Sequence, residues 1–214
     1  MLDVTNFGLF ALSVFLLSIT PGPDMAYVVG QSVANGRRAG IISAAGVALG
    51  SCTHAVASAV GLTALITASP MMFTFIKYLG AAYLMYLGAK MILGTFARQH
   101  PNDSESVPVR TKATLSSLLS KGFITTLTNP KVLLFFISFF PQFVSLGGDH
   151  HTASFLLLGM VYALIAFLTD VSFAVLAGSA AGAVSQNRGL QKILDRIVGV
   201  TFIGLGLRLA LSRR

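Results

Sequence analysis

Six long apolar stretches, approximately residues 7–34, 40–67, 71–93, 114–144, 152–177 and 193–211, alternate with polar connections along this chain. A helix needs about 20 apolar residues to cross a hydrocarbon core of about 30 Å, and each stretch is close to that length or longer. The pattern therefore predicts an all-α polytopic membrane protein of about six transmembrane helices. The first and fourth stretches exceed what one straight crossing requires, as expected of a helix that is broken midway or strongly tilted.

Both of these longer stretches are interrupted by proline beside a charge, at Thr20-Pro21-Gly22-Pro23-Asp24 in the first and Thr128-Asn129-Pro130-Lys131 in the fourth. Proline inside a helix removes a backbone hydrogen bond and clashes with the preceding turn. Within a bilayer the freed groups need partners, so such breaks are tolerated where they face protein or a wet cavity. Each charge adds about 2.5–3.5 kcal/mol at the centre of an isolated helix on insertion scales. Paired breaks, one in each half, are the pattern of a transporter whose discontinuous helices form a binding site near the bilayer midplane.

The strongest internal boundary is residues 98–112, where His100-Pro101-Asn102-Asp103-Ser104-Glu105-Ser106 and Pro108 replace the apolar pattern with turn formers and charges. It divides a first three-helix repeat, residues 1–97, from a second, residues 113–214, within one transport domain. An odd number of spans per half makes the second half enter from the opposite side, the condition for an inverted 3+3 repeat. Leu84-Met85-Tyr86-Leu87-Gly88-Ala89-Lys90 in the third span and Phe202-Ile203-Gly204-Leu205-Gly206-Leu207-Arg208 in the sixth share a Leu-Gly-x-basic ending. Aligning Pro23 with Pro130 sets Asp24 opposite Lys131. On the second span Gly46, Gly50, Ser51, Ala55 and Ala59 form a smooth strip suited to close helix packing.

Only 10% of the 214 residues are charged and 54% are hydrophobic, against about 25% charged in a soluble domain. The net charge of +8 is not gathered on one face or tract, so nucleic acid is not an expected partner. The basic residues mark orientation instead. Arg37 and Arg38, then Lys90, Arg98, Arg110, Lys112 and Lys121, then Arg188, Lys192 and Arg196 place the first, third and fifth connections in the cytoplasm. Asp3 and residues 147–151 then lie outside, giving an N-out, C-out topology, against which Lys77, Arg208, Arg213 and Arg214 count. Asp3 stands where a signal peptide would be positive, so the first span is expected to be retained. Cys52 is the only cysteine, which excludes an intrachain disulfide and paired-thiol chemistry. No phosphate-binding Gly-Lys-Ser/Thr loop precedes a helix, so direct ATP use is not expected; no cofactor is expected either.

Asp24 follows Pro23, which puts it in the first turn of a second half-helix, where unpaired amides and the dipole favour an ionised acid. It binds a substrate ammonium group together with freed backbone groups of Thr20 to Pro23, carries a proton, or serves as a structural cap. Asn129 supplies a short amide that can cap the helix beginning at Pro130. Lys131, a cation at a helix start, needs an anion: Asp24 across the pseudo-two-fold axis, Asp170, or a substrate carboxylate. Asp170, deep in the fifth span, is the leading candidate for proton coupling, with a fixed pairing to Lys131 as the competing role. His54 could relay protons or make an interhelical hydrogen bond. His150 and His151 read as solvated loop residues, since a His pair without further ligands does not make a metal site.

The two breaks, Asn35-Gly36-Arg37-Arg38-Ala39-Gly40, Leu79-Gly80-Ala81-Ala82-Tyr83-Leu84 with Tyr86-Leu87-Gly88-Ala89-Lys90, Leu127-Thr128-Asn129-Pro130-Lys131 and Phe140-Pro141-Gln142-Phe143 together resemble the LysE/RhtB family of amino-acid exporters. The resemblance covers nearly the whole chain. It implies a multi-pass plasma-membrane exporter, in the inner membrane of a Gram-negative bacterium, driven by the proton-motive force. Homoserine, homoserine lactone, threonine, leucine and basic amino acids are substrates within that family. The family pattern commonly has an acid after the glycine of the second span, where this chain has Ser51 after Gly50. It often ends the first break in Asn, where this chain has Asp24.

The reading that follows is a secondary transporter working by alternating access, not an enzyme. Pro21, Gly22, Pro23, Asp24, Asn129, Pro130 and Lys131 are expected to form the substrate site, with Asp170 and His54 carrying the coupling proton. Its partners are a small amino acid, protons and membrane lipid; homo-oligomerisation is left open. An inorganic cation exporter and a non-transporting membrane scaffold are the alternatives.

Overall fold

The computed structural model describes residues 2–97, 114–145, 147–177 and 188–211. These residues form helices throughout. Their one β feature is an isolated antiparallel bridge between Val4 and Val144.

Helix α1, Phe7–Ile19, buries Phe10, Ser13, Val14 and Leu17, the three- and four-residue spacing of one helical face. It stops before Pro21. After extended Gly22, α2 runs Pro23–Asn35 with Pro23 in the first turn, where its missing N–H costs nothing. The axes of α1 and α2 differ by 53°. The loop expected around Gly36 is a single residue: Gly36, at φ 89°, joins α2 directly to α3, Arg37–Ala68. Arg37 and Arg38 thus open α3. Ser69 alone separates α3 from α4, Pro70–Ala97.

The second half also opens with a bent helix pair. Helix α5, Leu115–Leu127, is capped by Thr114, whose Oγ1 accepts from Ser117 N at 3.3 Å. Helix α6, Pro130–Phe139, continues as a 3-10 turn, Phe140–Phe143, and α5 meets this second segment at 53°. Helices α7, His151–Leu176, and α8, Arg188–Leu211, complete the chain. The proposed linker, residues 98–112, lies outside the described residues.

Two helices, over Arg37–Leu65 and His151–Leu176, are each long and apolar enough to cross a membrane, and each bent pair passes the same test as one unit. Helices α4 and α8 fall where the third and sixth spans are expected. The protein is an all-α polytopic membrane protein. On α7 Met160, Leu164 and Leu168 are more than half exposed, as are Leu49, Val56 and Val60 on α3. Such outward stripes suit lipid, which leaves close packing and interhelical hydrogen bonds to hold the helices together.

Glycine supplies that close packing between α3 and α5. A methyl group on Gly122 would lie 2.6 Å from Ser43 O, and one on Gly50 would lie 2.8 Å from Thr126 Cβ. Gly46 likewise faces the backbone of Leu119. The Gly46–Ala59 strip is therefore a packing surface, since Ala55 and Ala59 are buried as well. Helix α3 also packs on α7 and α2, and α4 packs on α8.

The largest apolar cluster is aromatic. Phe10 of α1 meets Phe139, Phe140 and Phe143 at ring-centroid distances of 6.3, 5.3 and 5.3 Å, and Phe135 and Phe136 carry the stack to Tyr162 at 5.6 and 4.8 Å. Beyond it, the N-terminal segment straps the two halves together. Thr5 N donates to Phe143 O at 2.7 Å, Ser145 N to Asp3 O at 2.7 Å, and His150 N to Asp3 Oδ2 at 2.7 Å. Asp3 and residues 147–151, assigned to one side of the membrane by charge, are thus neighbours. His151 is the first residue of α7 and is half-buried, so it is not a loop residue as expected.

Candidate functional site

The Pro21 break deprives the Leu17 carbonyl, four residues earlier, of its helical donor. Leu17 O accepts from Thr20 N at 3.2 Å and from Lys131 Nζ at 2.9 Å. Lys131 Nζ also donates to Thr20 O at 3.0 Å. The lysine at the start of α6 therefore reaches across to the C-terminal end of α1, where carbonyls and the helix dipole favour a cation. Carbonyl partners were not among those expected for Lys131 from the sequence.

The second break is resolved in the same manner. Pro130 frees Thr126 O, which accepts from Asn129 N at 3.0 Å and faces His54 Nε2 at 3.2 Å. His54 is buried, and its ring lies 5.6 Å from that of Phe136. It makes the interhelical contact that was one of its two expected roles. Asn129 caps α6: its Oδ1 accepts from Lys131 N at 3.0 Å. Each proline-freed carbonyl thus has a local 3-10 partner and a side-chain partner from the other half of the chain.

Between the breaks lies a cavity of about 30 Å³, room for about two water molecules. Asp24, Asp170, Lys131, Asn129, Ser18, Thr20, Ser51 and Tyr162 form its polar part, and Leu17, Met25, Val47, Val132 and Ala166 its apolar part. Gly22 lines it too; a Cβ there would meet Lys131 Nζ at 3.4 Å. Asp24 sits in the first turn of α2 as expected. Its Oδ1 is buried and has no hydrogen-bond partner, although the side chains of Asn129 and Thr126 stand beside it. Asp170 is 5% exposed and lies within charge range of both Asp24 and Lys131.

The structure therefore brings Gly22, Asp24, Asn129, Lys131 and Asp170 to one cavity. Pro21, Pro23 and Pro130 shape the breaks around it, and His54 stands behind the wall at Thr126. Tyr162 and Ser51 were not among the expected site residues. Tyr162, Ala166 and Asp170 follow at four-residue spacing, so the acid and the tyrosine share one face of α7. Among the described residues no group of three His, Cys, Asp or Glu is placed to hold a metal ion.

Residues 15–213 match the sequence pattern of the LysE type translocator family. The chain belongs to this family. Relatives of the LysE type translocator include the leucine efflux proteins of Salmonella typhimurium, 30% identical over 97% of this chain and 95% of the relative, and of Enterobacter sp., 31% identical over 97% and 96%. An uncharacterized membrane protein of Pseudomonas aeruginosa is 36% identical over 98% of this translocator and 96% of the relative. No solved structure matches the chain.

Proposed function

We propose that this LysE-type translocator exports amino acids across the plasma membrane, the inner membrane of a Gram-negative cell, in exchange for protons. The observation that carries this reading is the cavity where two proline breaks converge, with two acids, a lysine and an amide facing one another. An amino acid bears an ammonium and a carboxylate group, and the site offers an opposite charge to each. Asp24 binds the ammonium group. Lys131 and Asn129 bind the carboxylate, while Pro21, Gly22, Pro23 and Pro130 hold the two backbones apart. Asp170 carries the coupling proton, and His54 supports that exchange from behind Thr126.

The apolar wall formed by Leu17, Met25, Val47, Val132 and Ala166 suits a neutral aliphatic side chain, in keeping with the relatives named leucine efflux protein.

An inverted 3+3 repeat is supported by part of the packing. Exchanging α1, α2, α3 and α4 for α5, α6, α7 and α8 turns the α1–α7 contact into α5–α3 and the α2–α7 contact into α6–α3, and all four contacts occur, whereas the α2–α3, α4–α6 and α2–α5 contacts have no counterpart of similar extent. The α3–α7 and α4–α8 contacts map onto themselves. Rocking of one repeat against the other then alternates access to the cavity.

The test is export from cells expressing the protein and fed leucine-containing dipeptides, with and without a protonophore. Faster leucine efflux that the protonophore abolishes is expected. A broad panel of amino acids leaving no faster from cells with well-inserted protein would reject amino-acid export.

A further inference from the structure

Lys131 Nζ donates to two backbone carbonyls at the end of α1, 2.9 Å to Leu17 O and 3.0 Å to Thr20 O. Asp24 Oδ1, buried and without a hydrogen-bond partner, lines the same cavity. Two carbonyls at a helix C-terminus beside a carboxylate make a receptor for a primary ammonium group, which has donors to give and a positive charge. A lysine side chain ends in that same group.

We propose that Lys131 is a tethered stand-in for the substrate: its ammonium group occupies the ammonium subsite of the empty carrier, and the substrate's own ammonium group displaces it. This deepens the reading given under Proposed function and rests on it for the identity of the displacing ligand. Displacement is an exchange of one primary ammonium for another, so Thr20 O does not lose its lysine donor in a low-dielectric site and Leu17 O does not fall back on Thr20 N alone. The released Lys131 then meets the carboxylate of the incoming molecule, one donor group serving two positions. A ligand with an ammonium group alone would fill the subsite but leave Lys131 without that anion. An amino acid satisfies both. The empty and loaded forms carry matched charges around Asp24 and Asp170, and the intermediate with neither ligand nor lysine in place is the disfavoured one.

The subsite is tested without any assumption about the amino acid transported. Thermal unfolding of the detergent-purified protein is followed with increasing methylammonium chloride and, separately, tetramethylammonium chloride, which has the charge but no N–H. In Lys131→Ala the vacated subsite is expected to bind methylammonium, with a saturable Tm rise of about 2–4 °C, and not to respond to tetramethylammonium. The parent protein should show no such rise, because its own lysine fills the subsite. Adding Asp24→Asn to Lys131→Ala should abolish the response. Lys131→Gln, which keeps a neutral donor near the carbonyls, guards against a variant that does not fold, and the same preference for methylammonium is expected in it. No methylammonium response in either variant, equal responses to both salts, or an equal response in the parent protein would overturn the proposal. If methylammonium binds as described while no amino acid is exported, the subsite stands and the reading of the substrate falls.

Discussion

His54 Nε2 lies 3.2 Å from the Thr126 carbonyl oxygen, the acceptor that Pro130 leaves without its helical donor. A histidine on α3 thereby takes over a hydrogen bond that α5 cannot make for itself. His54→Ala should destabilise the protein by about 0.5–1.5 kcal/mol, the net worth of one buried hydrogen bond, since Asn129 N still donates to Thr126 O. A glutamine able to reach Thr126 O should recover much of the loss. Thermal unfolding in detergent checks both. If His54 also takes part in proton exchange, His54→Gln will restore stability while the pH profile of export stays altered.

Asp24→Asn removes a charge whose Oδ1 has no hydrogen-bond partner. Export should fall by tenfold or more while membrane insertion and Tm are unchanged or the Tm rises. That opposition of effects separates a binding acid from a structural cap, whose loss would lower stability by about 1 kcal/mol. Efflux assays beside thermal unfolding supply the two readouts.

Asp170→Asn should uncouple transport from protons. The variant is expected to let substrate run down its own gradient, yet to lose accumulation against a gradient and sensitivity to a protonophore. Proteoliposome flux with and without an imposed pH difference measures this. A variant that still responds in full to the pH difference would remove Asp170 from the coupling role.

Gly122→Leu forces a side chain between α5 and α3, where even a methyl group would come within 2.6 Å of Ser43 O. Overpacking of this kind costs about 1–3 kcal/mol, and a backbone neighbour cannot step aside as a side-chain tip would. The expected result is a lower Tm and poor recovery from the membrane. Gly8→Leu, at a position with nothing within 4 Å of a Cβ, is the matched control and should change little.

The breaks were legible in the sequence because proline chemistry is local: a ring at position 21 or 130 ends a helix wherever the chain goes. Asn129 could be read as a cap, and Asp24 as a first-turn acid, for the same reason. The partners of Lys131 could not, since Leu17 and Thr20 lie 114 and 111 residues away in the chain. Only the approach of α6 to α1 brings them together. A sharper rule was nevertheless available. Counting back four residues from Pro21 and Pro130 gives Leu17 and Thr126, the carbonyls in need of a donor. Tyr162 reads as one more aromatic of an apolar span until its place on the Asp170 face is noticed. The connection holding Gly36, Arg37 and Arg38 was read from its polar residues alone; the structure shortens it to Gly36, a one-residue joint between two helices.

Among the described residues, phenylalanine rings run from Phe143 to Tyr162 as an apolar layer between the strap at Asp3 and the cavity. Hydronium and sodium ions have nothing there to replace their water shells, and a file of water molecules has nothing to hold it. If the proposed exchange for protons holds, the layer is electrical insulation as well as packing: a carrier at rest would not short-circuit the gradient that drives it.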